Sequence, residues 1–327
     1  MTNEFKVKWT KLKDTVDQRM MQLVQKERPV SLYDPLKYCL SSGGKRIRPL
    51  LLLLSAEAVG GDIQNALDAA VALEMVHNFT LVHDDIMDHD DMRRGRQTVH
   101  KKWDENAAIL AGDALLVVAY DTLADISPIH LQEISKHFSS SILEVCEGQA
   151  LDKEFESRPD VTLDEYFEMI GKKTARLFAA SCTIGAILGE GSEKQIKALQ
   201  SYGELLGIAF QVQDDLLDIL SEQNVLGKDR GSDFEQNKKT FLITHAEQFA
   251  EQKYLDQLQE MRKNKHLGID HLKKIIDILH RCGTIEAAKL EIRSCLEKAR
   301  TKLGVLEDNE ARKFLYELSS TIEQRES

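Results

Sequence analysis

Apolar residues run along this chain in long stretches at helical spacing, separated by short polar breaks, and alternating runs of β-branched residues are nearly absent. Such a pattern predicts helices. Proline, glycine and capping residues set their bounds. A polar-faced helix over roughly 5–28 is closed by Arg28-Pro29, and a second starts after Asp34-Pro35 and stops at Gly43-Gly44. Pro49 suits the first turn of a third, which carries Leu50 to Leu54 and fades at Gly60-Gly61. A long, mostly apolar helix covers about 63–89, Asn106 can cap another to about Ile126, and one more spans about 129–151. Thr162-x-x-Glu165 and Ser192-x-x-Gln195 are capping-box patterns that open two further long apolar helices. The segment from Ser221 to Lys239 is polar, rich in Gly, Asp and Lys, and reads as a loop. Amphipathic helices follow near 240–263, 270–281, 283–302 and 309–325. The expected fold is all-α, a single large multi-helix bundle over residues 1–327, with central helices apolar nearly all round.

Two echoing stretches carry the chemistry: Asp84-Asp85-Ile86-Met87-Asp88 and Asp214-Asp215-Leu216-Leu217-Asp218. At 100° per residue, the first and third aspartates of each triplet lie one turn apart on one helix face, with the middle one beside them. A solvated acidic face tolerates this at about 0.2–0.5 kcal/mol per pair. Here the neighbours are apolar, and in a partly buried site two like charges at ~4 Å repel by about 4 kcal/mol. Cations must therefore belong to the design. Carboxylates without a supporting His or Cys set suit a hard ion such as Mg2+, which keeps waters and shares phosphate oxygens with a substrate. Two such triplets serving one ligand favour one domain over the two that 327 residues would allow.

Composition narrows the partners. A hydrophobic content of 42% supports a large core, and a net charge of −11 argues against nucleic acid or an anionic membrane as a general partner. Cys39, Cys146, Cys182, Cys282 and Cys295 are scattered and lack C-x-x-C spacing, as expected of reduced thiols in the cytoplasm. Met1 to Lys13 is charged throughout, unlike a signal peptide. The run Leu50–Leu54 falls far short of the ~20 residues of a membrane span, so no stable membrane insertion is expected.

Basic residues stand beside the helix punctuation. Gly43-Gly44-Lys45-Arg46-Ile47-Arg48-Pro49 joins a permissive turn, a helix start and three cations, a recipe for phosphate binding. Arg93-Arg94 offers two planar donor forks shortly after Asp88. Lys172-Lys173-Thr174 lies in the helix opened by Thr162, and Lys228 and Lys238 belong to the loop after the second triplet. His77, seven residues before Asp84, falls about 20° from that residue's direction and could donate to a phosphate.

Together these motifs resemble the trans-isoprenyl diphosphate synthases, or polyprenyl synthetases, from Gly43 through Thr240. The resemblance implies a homodimer of antiparallel helical bundles of the isoprenoid synthase type with a central cavity. It also implies three Mg2+ ions bridging an allylic diphosphate between the two triplets. It assigns Lys45, Arg48, His77 and Arg94 to isopentenyl diphosphate. Arg93, Lys173, Lys228 and Lys238 would hold the allylic diphosphate, with Thr174 and Gln211 near its reacting carbon. Where the family commonly has Gly-Lys-x-Thr, this chain has Asn237-Lys238-Lys239-Thr240, which leaves the loop around Lys238 in question. The position five before the first triplet limits product length in the family. Phe79 stands there, followed by Thr80, and together they suggest a short product: geranylgeranyl (C20), then farnesyl (C15), ahead of longer chains.

Rival functions each leave something unexplained. A histidine–aspartate phosphohydrolase, suggested by His83-Asp84, has no use for the second triplet. A terpene cyclase carries a different second metal motif, rich in Asn, Ser or Thr and Glu. A non-catalytic partner subunit is expected to have lost acidic ligands, and all six aspartates are present.

Overall fold

The structure, a computed structural model, describes residues 2–220, 231–262 and 269–323. It opens with helices α1 (Asn3–Leu23), α2 (Val30–Leu40), α3 (Ile47–Ala58) and α4 (Ile63–Met87). A hairpin of β1 (Met92–Arg93) and β2 (Arg96–Gln97) and the short α5 (Val99–Lys102) lead to α6 (Glu105–Ala124) and α7 (Pro128–Phe155). Then α8 (Leu163–Ile170) passes through a π-helical turn, Gly171–Ala175, into α9 (Arg176–Leu188). After α10 (Glu193–Leu220) come α11 (Ser232–Glu235), α12 (Phe241–Phe249), α13 (Gln252–Arg262), α14 (Ile269–Arg281), α15 (Thr284–Lys302) and α16 (Glu310–Glu323). The described residues are all-α as expected, apart from the two-residue strands.

Where bounds differ from expectation, local chemistry gives the reason. Helix α1 stops at Leu23 because Gln25-Lys26-Glu27-Arg28 offers no apolar side chain to hold a further turn, whereas Phe5, Leu12, Val16 and Met20 are buried along its stripe. Helix α2 starts at Val30, so Pro35 lies inside it and costs one helical hydrogen bond, while Leu36, Cys39 and Leu40 bury the turn beyond. Asp104 rather than Asn106 caps α6, its carboxylate accepting from Ala107 N at 2.7 Å. Both capping boxes form, with Glu165 N on Thr162 Oγ1 at 3.3 Å and Gln195 N on Ser192 Oγ at 3.4 Å. The stretch expected as one helix over 240–263 breaks at Ala250, whose backbone is extended.

Packing divides the chain into two compact units. The first comprises Met1–Ile142, Ala180–Gln200 and Leu303–Glu317 and is built around α4. Ala66, Ala69, Ala70 and Ala72 are buried on that helix, and their small side chains let α3 and α6 lie close along it. Leu50 to Leu54 on α3 are all buried, each stabilising the fold by about 2 kcal/mol. The second unit comprises Leu143–Ala179, Ser201–Lys302 and Leu318–Ser327. In it α12 packs on α8 and α15, and α14 lies against α13 and α15. Helix α6 is long and apolar enough to cross a membrane by length and composition alone, which the leucine run did not reveal. It packs along α4, the most extensive pairing of the first unit.

Candidate active site

Asp84, Asp85 and Asp88 end α4: Asp88 is its C-cap, with its N–H on Asp84 O at 2.8 Å, and no basic residue stands in the last turn. The side chains divide. Asp84 and Asp88, one turn apart, are partly exposed, whereas Asp85 is buried and accepts from Arg93 Nε. Arg93 also reaches Asp90 at 3.3 Å. Burial works against the charge on Arg93, but Asp85, Asp90 and Asp84 together keep its guanidinium more firmly protonated than usual.

Arg93 and Arg94 owe their placement to the hairpin. Its two-residue loop is Arg94-Gly95, with φ of 53° and 74°, and positive φ at both positions is what a type I′ turn requires. The Arg94 guanidinium folds against the Gly43-Gly44 turn and donates to Gly43 O. At Gly44, with φ of 129°, a Cβ would come within 2.9 Å of that guanidinium and displace it, and the left-handed backbone there favours glycine. Arg48 Nη1 lies 3.2 Å from His77 Nε2. Since a guanidinium only donates, Nε2 accepts and the ring proton sits on Nδ1. Burial first, then Arg48, Arg94, Arg46 and Arg93, hold His77 well below its usual range, so it is neutral at pH 7.

One of the three cations in this motif does different work. Arg46, with φ of 51°, is buried and bonds Asp17 at 2.7 Å, Glu74 at 2.9 Å and Leu40 O at 3.0 Å. It ties α1, α3 and α4 together, and an anion is left with Lys45, which is exposed, and Arg48, which is half-buried. Phe79 stacks edge-on with His83 at 4.8 Å, and the His83 ring lies over Gly112 of α6, where a Cβ would meet its Cδ2 at 2.5 Å. Thr80 turns its hydroxyl back onto His77 O at 2.8 Å.

In the second unit, Asp214, Asp215 and Asp218 occupy the last two turns of α10, again with no basic residue in the last turn. Asp215 is buried and takes three donors: Tyr166 Oη at 2.7 Å and Phe241 N at 2.8 Å on Oδ2, and Gln211 Nε2 at 2.9 Å on Oδ1. Burial pushes its carboxyl up to about 7 against these bonds. Thr174 Oγ1 donates to Gln211 Oε1 at 2.7 Å, and Lys173 Nζ pairs with Asp152 at 2.5 Å. Lys173 and Thr174 belong to the π-helical turn, a distortion that often marks functional sites. Lys238 is nearly buried, 3.8 Å from Asp233. The departure at Asn237 has a backbone explanation: its φ is 60°, a left-handed conformation that Gly prefers and Asn tolerates, and its amide donates to Glu156 O at 2.7 Å. Lys228 lies outside the described residues.

Both triplets stand at helix C-termini, where the partial negative charge makes each further carboxylate unfavourable by about 0.3–1 kcal/mol. That donor set fits a hard divalent cation. Among the described residues no three His, Cys, Asp or Glu side chains already converge on one point. Gln149, buried on the face of α7 that carries Gly148 and Asp152, has both amide atoms without a partner there.

Tyr166, Asp152 and Gln149 escaped the sequence reading. Each is a polar group on an otherwise buried helix face, and that was the available signal: a buried tyrosine hydroxyl or carboxylate needs a partner.

Comparison with known proteins accords with these features. The family model described as polyprenyl synthetase matches residues 29–279. The geranylgeranyl diphosphate synthase of Methanosarcina mazei is 41% identical over 313 residues, 95% of this chain and 95% of that protein. The crystal structure of geranylgeranyl pyrophosphate synthetase from Pyrococcus horikoshii Ot3 is similar at a TM-score of 0.92 and 38% identity, over 99% of this chain and 100% of that one. A polyprenyl synthase from Caulobacter crescentus CB15, complexed with calcium and isoprenyl diphosphate, is similar at a TM-score of 0.89 and 25% identity, over 99% and 98%.

Proposed function

We propose, for a chain that belongs to the polyprenyl synthetase family and has the isoprenoid synthase fold, that it joins isopentenyl diphosphate to an allylic diphosphate, head to tail and trans, to make geranylgeranyl diphosphate. Membership makes it a prenyl diphosphate synthase of a family that uses divalent metal ions, and relatives at about 40% identity named as geranylgeranyl or short-chain synthases support a short product. The observation that carries the site assignment is the pair of acidic triplets, each ending a long helix that has no basic residue in its last turn. Asp84, Asp88, Asp214 and Asp218 are the ligands for magnesium, while Asp85 and Asp215, buried as Asp218 also is, are the members that fix protein donors. When bound, Mg2+ neutralises charge growing on the departing diphosphate.

This chain's own groups do the rest. Lys45, Arg48, Arg94 and the Nδ1–H of His77 hold isopentenyl diphosphate. Arg93, Lys173, Lys228 and Lys238 hold the allylic diphosphate and stabilise it as the C–O bond breaks. The carbonyl oxygen of Gln211, with Thr174 beside it, faces the allylic cation, and apolar helix walls keep water from quenching it. The isopentenyl double bond attacks, and the departing diphosphate takes the proton. Purified protein supplied with Mg2+, isopentenyl diphosphate and farnesyl diphosphate is expected to release pyrophosphate and form a C20 product, identified by chromatography. Absence of turnover returns the partner-subunit alternative. In the same assay Phe79→Ala should shift the product to longer chains, since the Phe79–His83 stack bounds the space for the growing tail; an unchanged product assigns Phe79 to the core.

The functional form is a homodimer in the cytoplasm. Ile109, Leu110, Val117 and Tyr120 are exposed along α6 around Asp113, a mainly apolar face that a second copy would cover. Sedimentation is expected to give twice the chain mass, and Val117→Glu should yield the monomer; a monomeric wild type would assign that face another role.

A further inference from the structure

Gln211 is one end of a hydrogen-bond relay that reaches across three further elements. Its carbonyl oxygen accepts from Thr174 on the π-helical turn, and its amide nitrogen donates to Asp215 Oδ1 on its own helix. Asp215 Oδ2 meanwhile accepts from Tyr166 Oη on α8 and from Phe241 N at the start of α12. Two donors from different helices on one oxygen fix the plane of the carboxyl group. Oδ1 is then the oxygen presented to Gln211, and it accepts from the amide nitrogen while Thr174 Oγ1 donates to the amide oxygen, so the two bonds together set which way the amide faces. Tyr166 is buried, its ring set edge-on to Phe167 at 5.5 Å and to Phe241 at 6.0 Å. Its hydroxyl is therefore aimed by packing, with Asp215 as its acceptor.

We infer that Tyr166 is a positioning residue for prenyl transfer: acting through Asp215, it holds the Gln211 amide with oxygen rather than N–H toward the allylic carbon. The consequence is electrostatic. An amide oxygen stabilises a developing carbocation, whereas a flipped amide would direct N–H dipoles at it and oppose ionisation. Removing the hydroxyl should slow the ionisation step while leaving diphosphate binding, which depends on lysines and arginines, as it was. This role rests on the proposed function, in which Gln211 faces the reacting carbon.

The test is a double-mutant cycle in steady-state kinetics on the full chain: wild type, Tyr166→Phe, Gln211→Leu and the double variant, each melted by circular dichroism. Tyr166→Phe keeps the ring packing and is expected to lower kcat by about tenfold, with KM for isopentenyl diphosphate unchanged. In the Gln211→Leu background the same change should cost nothing more, because there is no amide left to orient. Equal losses in both backgrounds, or an unaltered kcat in the single variant, would overturn the role. A Tyr166→Phe chain that does not fold would move the reading of the coupling to Asp215. Should that happen, Asp215→Asn in both backgrounds tests the same coupling from the other side of the bond. A wild type without prenyl transfer defeats the proposed reaction instead, which separates the two failures.

Discussion

Asp84→Asn is expected to lower kcat by about a thousandfold and, in the absence of metal, to raise the melting temperature slightly. The two effects share one cause. Asp84 stands in the last turn of α4 with Asp85 and Asp88, at the negative end of the helix dipole and with no basic residue in that turn. An asparagine of the same shape relieves about 0.2–0.5 kcal/mol of carboxylate repulsion and about 0.3–1 kcal/mol of unfavourable dipole interaction. It also removes a charge from the cation site that the triplet exists to supply. Calorimetry with and without Mg2+ should show metal stabilising the wild type and having less effect on the variant. Asp215→Asn, the identical change in the other triplet, should instead lower the melting temperature. Its carboxylate accepts from Tyr166, Phe241 N and Gln211, and an amide would set N–H against one of those donors. If Asp84→Asn keeps its activity, or melts early as Asp215→Asn should, the division of labour between Asp84 and Asp215 is wrong.

That division also marks how far the sequence could be read. Both triplets, the Gly43–Pro49 turn and the arginine pair stand out because their chemistry is contiguous in the chain. Which member of a triplet points where depends on what lies against the helix, and that is tertiary information: Asp85 turns to Arg93 of the hairpin, and Asp215 to Tyr166, far away in sequence. Arg46 carries the same lesson. Between Lys45 and Arg48 it reads as one of three phosphate ligands, yet Asp17 and Glu74 draw it inward, and neither can be paired with it from spacing. Asn237 ran the other way: a departure from the usual glycine that left the loop in question proves compatible with the left-handed backbone at that point.

Gly148→Ala is the second large effect expected, and nothing in the sequence around it gives warning. Gly148 sits on the buried face of α7, and a Cβ there would come within 2.7 Å of Lys173 Cα and 2.9 Å of Lys172 C, main-chain atoms of the π-helical turn. Backbone cannot rotate away as a side chain can, so the two elements must separate. Overpacking of this kind costs about 3 kcal/mol. Activity should suffer beyond that, because Lys173 pairs with Asp152 one turn further along α7 and Thr174 holds Gln211. A displacement of about 1 Å there is enough for a hundredfold loss in kcat. Gly171→Ala supplies the contrast from within the same turn. Its φ is −55° and a Cβ meets nothing within 4 Å, so this change should leave kcat in place and stabilise the fold by about 0.4–1 kcal/mol. Opposite signs from two alanines on either side of one contact would locate the constraint in the approach of α7 to the π turn. A Gly148→Ala protein that melts and turns over like the wild type would show that the turn yields, and that Lys173 is placed by something other than α7.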